Sequence, residues 1–185
     1  VTDKPLDEIV TSSKRIYNGK IINLRVDTIV LPNGKPSQRE IVEHRGAVAM
    51  VPLRANGNTI LVRQWRTPAH AALLEIPAGT LEPGEDPQDA AYRELTEEIN
   101  LAAGRMTKLF ESYMAPGYTT ELIRYYLAQD LTDSPGHADD DEFLEIIEVP
   151  LEEAVGKIVS GEICDAKSIS GLLFVDRLRR EGQLG

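Results

Sequence analysis

The segment RELTEEIN, residues 93–100, puts Glu94, Glu97 and Glu98 within five consecutive positions. Side chains three and four residues apart share one face of a helix. This spacing therefore crowds carboxylates together in a chain whose formal net charge is already -10. Each like-charge pair costs roughly 0.2–0.5 kcal/mol on an isolated helix. A solvated charged face is one reading of such a helix; a hard divalent cation that removes the cost is the other. Mg2+ takes oxygen ligands, and it divides its octahedral shell between a few carboxylates, waters and substrate phosphates. The acids also abut the stripe Ala91, Leu95 and Ile99, so they sit at the edge of a core rather than on the face opposite it. A further acid, Glu85, precedes them in a glycine-containing loop, and Arg93 is spaced to pair with Asp89 and with Glu97.

The elements that must hold these residues can be read from local pattern. Asp86 is a good N-cap, Pro87 suits the first helical position, and Asp89 favours the positive end of the helix. Asn100 ends the helix, because the residue just past a helix often turns left-handed and Asn tolerates that conformation next best after Gly. Upstream, LLEIPAG (73–79) is predicted to be a strand running into a glycine. GAVAMVPL (46–53) is a short, nearly continuous apolar run of the kind buried on both faces, and TILVRQW returns after the turn ANGN. Trp65, opposite Arg66 by strand alternation, is expected in the core. In residues 22–30, Ile22, Leu24, Val26, Thr28 and Val30 alternate with Asn23, Arg25 and Asp27, the period of a half-buried strand. PNGK turns the chain, and 36–45 comes back as its partner. Strand-like runs follow at 106–113, 121–128 and 144–149, then two helices over PLEEAVGKIVSG and DAKSISGLLFVDRLRR. Strands and helices mix without regular alternation, so the class is α+β with a mixed sheet. The shift in strand type at Gly46 divides a small N-terminal antiparallel β unit, 1–45, from a main domain, 46–185.

Composition narrows the function classes. A hydrophobic content of 42% supports a real core. No apolar run is long enough for a membrane span, and the N-terminal residues lack the apolar core of a signal peptide, so a cytoplasmic location is expected. Cys164 is the single cysteine and reads as a buried structural thiol in a reducing compartment. The acidic balance argues against nucleic acid and anionic membranes as partners. The histidines His44, His70 and His137 have no metal-ligand spacing.

GTLEPGEDPQDAAYRELTEEINL, Gly79 to Leu101, resembles the signature box of the Nudix hydrolases. Gly79, Glu85, Arg93, Glu94, Leu95, Glu97, Glu98 and Leu101 match, and only Asn100 departs, where the family has Gly. The departure touches the helix stop rather than a ligand. The resemblance implies a mixed sheet sandwiched between helices. It implies that Glu94 and Glu98 are direct metal ligands, that Glu97 is a ligand or near-ligand, and that the carbonyl of Ala78 is a further ligand. Arg93 would orient the glutamates, partly through Glu85. The cation would be Mg2+, with Mn2+ able to substitute, polarising a diphosphate and acidifying the attacking water.

VRQWRTPAHAALLEIPAG, SYMAPGYTTE, DAKSISGLL and REIVEH resemble the ADP-ribose pyrophosphatase branch, which covers nearly the whole chain from about residue 13. That resemblance implies hydrolysis of ADP-ribose to AMP and ribose 5-phosphate. The alternative is another nucleoside diphosphate sugar or a dinucleotide, such as GDP-mannose or other ADP-sugars. A non-catalytic ADP-ribose sensor is the contrasting reading, and the full set of box glutamates speaks against it. The branch further implies a homodimer built on the N-terminal β unit, with Arg39 and Glu40 near the adenosine, Arg66 at the diphosphate, and Pro116 with Gly117 in the proline loop past the box. Its general base lies in an acidic loop, here TDSPGHADDDEFLE, where Glu142 matches by position. Asp140 and Asp141 compete with it, and Glu145 is the outside choice.

Overall fold

The computed structural model describes residues 6–135 and 143–184. The chain divides into two compact units, one of Val1–Gly46 with Tyr113–Leu122 and one of Ala47–Ser112 with Ile123–Gly185.

The first unit is an antiparallel sheet of β1 (Ile9–Asn18), β2 (Ile22–Val30) and β3 (Pro36–His44), in the order β1-β2-β3. Its second turn is the one the PNGK signal predicts. The amide of Gly34, at φ 81°, donates to the Leu31 carbonyl at 2.8 Å. The segment after residue 113 adds to β3 through main-chain bonds, with the Val42 amide on the Tyr118 carbonyl at 2.8 Å and the Thr120 amide on the Val42 carbonyl at 3.0 Å. The parity of β2 departs from the sequence reading. Asp27 and Ile29 are the buried positions, while Val26, Thr28 and Val30 are only partly covered. Asp27 is stabilised there because the Ser13 hydroxyl donates to it at 2.6 Å and Arg25 pairs with it at 3.3 Å.

The second unit holds the main core. β4 (Ala47–Pro52), buried at every position, is the centre of a four-stranded sheet. It runs parallel to β9 (Leu122–Asp133) and antiparallel to β7 (Ala78–Thr80), and β8 (Leu101–Tyr113) lies outside β9. A second sheet has β5 (Asn58–Arg66) between β6 (Ala71–Glu75) and β10 (Glu145–Pro150), antiparallel to both. The helices are α1 (Pro87–Ile99), α2 (Leu151–Ser160) and α3 (Ala166–Arg180).

Strand alternation sends the side chains of β4 to both faces. Val48 and Met50 cluster with Ala91, Leu95 and Ile99 of α1. On the other face α3 approaches closely at Gly171, where a Cβ would lie 3.1 Å from Val51 and 2.9 Å from Ile76. The mixed sheet therefore lies between helices, as expected.

LLEIPAG is not one strand but two, β6 and β7, which belong to different sheets. Pro77 has no amide to give a ladder. The Ile76 amide instead donates to the Ser168 hydroxyl at 2.8 Å, and the Pro77 carbonyl accepts from Met50 at 2.9 Å. Among the described residues no helix is long and apolar enough to cross a membrane.

Candidate metal centre and its charged surround

α1 is held at both ends by the residues its sequence supplies. The Asp86 side chain accepts from the amides of Gln88 at 2.8 Å and Asp89 at 3.4 Å, with Pro87 in the first turn. At the far end Asn100 adopts φ 56°, ψ 36°, and its amide closes on the Thr96 carbonyl. With Ala91, Leu95 and Ile99 packed inward, the glutamates are carried along the border of the core.

That border is β7. Glu98 is 5% exposed, and its Oε2 accepts from the Ala78 amide at 2.9 Å. The Glu94 carboxylate lies over the next residue, Gly79. A Cβ built at 79 would meet the Glu94 carboxyl carbon at 1.9 Å, so glycine is the residue that leaves room for this acid. Arg93 ties the remaining acids together. Its Nε and Nη2 donate to Glu85 at 2.8 and 3.0 Å, and its Nη1 donates to both Glu94 and Glu97 at 2.8 Å. Glu85 is itself fixed, accepting from the Glu82 amide at 2.9 Å. Of the two helix acids spaced to pair with Arg93, Glu97 does so and Asp89 does not, while the loop carboxylate of Glu85 takes the bidentate fit. Hydrogen bonding from Arg93 holds the Glu85 carboxyl below the usual carboxylate range. In return Glu85, followed by the charges of Glu94 and Glu97, pushes the Arg93 guanidinium further up.

Among the described residues no three His, Cys, Asp or Glu side chains converge as a ready metal cage. The guanidinium of Arg93 serves as the counter-charge of Glu94 and Glu97 in this arrangement. The donor chemistry nevertheless fits a hard divalent ion, since the carboxylates of Glu98 and Glu94 lie against the backbone of 78 and 79, where a side chain at 79 would displace Glu94.

A second charged cluster lies in the same unit. Arg66 grips the buried carboxylate of Glu75 with Nε at 2.9 Å and Nη2 at 2.7 Å. Lys167 donates to Glu75 as well, and to Asp165 at 2.9 Å. The Arg66 guanidinium is shifted up, first by the bond to Glu75, with Glu98 among the negative charges that contribute. Burial works against ionised Glu75, but Arg66 and Lys167 outweigh it and hold the carboxyl below its ordinary value. Sequence reasoning passed over Glu75 and Lys167. The available signal was a lone acid inside the apolar run LLEIP.

The other expected site residues fall as follows. Arg39, on β3, pairs with Glu8 and reaches the Gln38 carbonyl at 2.9 Å, and Glu40 is exposed on the same strand. Pro116 and Gly117 lie between β8 and β9 in a segment that belongs to the first unit with Arg39 and Glu40. Glu142 lies outside the described residues, as do Asp140, Asp141 and His137. Glu145 begins β10 and pairs with Arg63 at 3.3 Å.

Two expectations are corrected. Trp65 is not in the core but 58% exposed, edge-on to His70 at 5.5 Å, because the outer face of the β5–β6 hairpin is left uncovered at that position. Cys164 is exposed, since its neighbour Ile163 takes the buried position in the α2–α3 connection.

Comparison with known proteins finds relatives along most of the chain. The family model described as NUDIX domain matches residues 43–169, and one described as nucleoside diphosphate sugar hydrolase N-terminal domain matches residues 8–42. A protein of Bacillus subtilis (strain 168) named ADP-ribose pyrophosphatase is 41% identical over 174 residues, covering 93% of this chain and 94% of the relative. A protein of Bacillus methanolicus named methanol dehydrogenase activator is 37% identical, with the same coverage. The solved structure titled crystal structure of ADP compounds hydrolase superposes with a TM-score of 0.84 at 24% identity, over 96% of this chain and 97% of that one, and shows a shared fold.

Proposed function

The chain belongs to the NUDIX domain family, and from that premise we propose that it hydrolyses the pyrophosphate bond of ADP-ribose to AMP and ribose 5-phosphate, with Mg2+ as cofactor. The observation that carries the reading is the packing of α1 on β7, with Glu98 on the Ala78 amide, Glu94 over Gly79, and Arg93 joining Glu85, Glu94 and Glu97. Identity of 41% along nearly the full length of a protein named ADP-ribose pyrophosphatase supports this choice of substrate.

Glu94, Glu97, Glu98 and the carbonyl of Ala78 would hold the cation. A divalent ion there supplies positive charge to the diphosphate and raises the acidity of the attacking water. The residues of the chain do the rest. Glu85 fixes Arg93, and Arg93 fixes the carboxylates of Glu94 and Glu97, so the donors are oriented before substrate arrives. In this reading Arg66 is a diphosphate contact, Arg39 and Glu40 are adenosine contacts, and Pro116 and Gly117 are further substrate-binding residues. Glu142 takes the proton of the water as its oxygen bonds to phosphorus. The P–O–P bridge then breaks, and the second phosphate leaves with the bridging oxygen.

We further infer a homodimer built on residues 1–45, acting in the cytoplasm. Large apolar side chains exposed on and after β1, namely Ile9, Val10, Ile16, Tyr17 and Ile21, support the association. A panel of ADP-ribose, other ADP-sugars, GDP-mannose and dinucleotides, with the products identified, tests the substrate. The reading expects the highest kcat/KM for ADP-ribose and requires Mg2+ or Mn2+. A clear preference for GDP-mannose would overturn the substrate while leaving the pyrophosphohydrolase in place.

A further inference from the structure

Glu75 is the one acid of β6, and it is 1% exposed. A buried carboxylate is costly unless paired and hydrogen-bonded, so its partners point to its purpose. They are Arg66, held side-on through Nε and Nη2, and Lys167 in the first turn of α3. Beside Lys167, Ser168 accepts from the Ile76 amide at 2.8 Å. Two neighbouring residues of α3 therefore tie down the end of the strand that leads into Ala78 and Gly79.

The guanidinium fork has five N–H donors. Glu75 occupies the Nε edge, while Nη1 makes no hydrogen bond to any described residue and the side chain is 39% exposed. Arg66 is clamped along one edge and open along the other, in the field of Glu98. An arginine in that state has lost its rotamer freedom before any ligand binds, and its open edge matches two phosphate oxygens.

We propose that Glu75 and Lys167 are positioning residues for the reaction, Glu75 aiming the open edge of Arg66 at the diphosphate and Lys167 holding Glu75 in that pose. This rests on the reading of Arg66 as a diphosphate contact. A merely structural latch for α3 would change stability without depending on Arg66. The positioning role makes the three residues act as one unit in binding.

The test is a double-mutant cycle of Arg66→Ala and Glu75→Gln. It is read by the Kd of α,β-methylene-ADP-ribose, whose bridge is not hydrolysed, and by KM and kcat for ADP-ribose. Each single variant should weaken the probe about tenfold or more, the scale of one charge-assisted contact. In the Arg66→Ala background, Glu75→Gln should add less than about twofold, the mark of a shared pathway. KM should rise more than kcat falls. Lys167→Met should show a smaller loss that also vanishes without Arg66, and Lys167→Arg should restore it. Additive losses, or wild-type Kd in Glu75→Gln, overturn the inference. If Glu75→Gln does not fold, the Lys167 variants decide by the same criterion. Wild-type protein that binds the probe but does not cleave ADP-ribose sinks the proposed activity and leaves the cycle readable. Cleavage with an additive cycle sinks the inference alone, and no binding of the probe sinks both.

Discussion

β1 and β4 are both strands rich in apolar residues, yet every residue of β1 is exposed and every residue of β4 is buried. β4 has hydrogen-bonded neighbours on both edges and helix side chains on both faces. β1 is an outer strand of a three-stranded sheet, bulged twice along its length. The difference separates two ways of using hydrophobic surface. In the second unit burial within the chain fixes a rigid bed, about 1.5–3 kcal/mol for each large side chain, on which charged groups are held at hydrogen-bond distance. In the first unit comparable side chains stay exposed. Under the proposed dimer, chemistry and association reside in different units, and variants should separate them.

The sharpest break should come from Glu98→Gln. It keeps the shape of a side chain that accepts from the Ala78 amide, but it removes the charge of a proposed metal ligand. We expect turnover to fall to background at saturating Mg2+, with the circular dichroism spectrum and the light-scattering mass unchanged. Wild-type-like turnover would remove the metal role from α1. Next is Glu142→Gln, expected to lower kcat by about 10²–10⁴, the usual weight of a general base, with little change in KM or metal affinity. Retention of more than about a tenth of the rate, above the low end of that range, would shift the role to Asp140, Asp141, Glu145 or Glu97. Asp140→Asn, Asp141→Asn and Glu145→Gln in the same assay would separate these candidates.

Variants of the first unit should act on association. A chain beginning at Gly46, or the point variant Ile16→Asp on β1, should scatter light as a monomer. KM should rise by roughly tenfold, equivalent to about 1.4 kcal/mol of lost binding. A fully active wild-type monomer at working concentration would falsify the division of labour. The smallest effect is expected at Asn100→Gly. Its left-handed backbone suits Gly as well as Asn, so the urea midpoint should move by no more than about 1 kcal/mol in stability. Activity should not move at all. A drop in kcat there would show that the residue does more than end the helix.

Much of the site was legible in the sequence because it is local. Asp86, Pro87, the stripe Ala91, Leu95 and Ile99, and the left-handed Asn100 depend on neighbours within a turn or two, so spacing alone places them. The acidic face follows from the same helical period, and so does its pairing with Arg93, although geometry chose Glu85 over Asp89 as the arginine's partner. The exposures of Trp65 and Cys164 were not legible. Strand alternation and hydrophobicity say which side a residue takes, not whether another element covers that side. The parity of β2 failed for the same reason, since Asp27 is buried by groups brought from other strands.

The sequence by itself determined the class, the helix of glutamates and its resemblance to a known box, properties carried by short-range spacing, but it did not mark β1 (Ile9–Asn18) as a strand. Only the tertiary structure decided that LLEIPAG breaks into two sheets, that Gly79 lies under Glu94, and that Glu75 holds Arg66 and Lys167 across 9 and 92 residues of chain. Those outcomes depend on which distant groups meet a buried amide or carboxylate. A polar group withdrawn from water must find its partner wherever the fold brings one, and no local pattern records where that is.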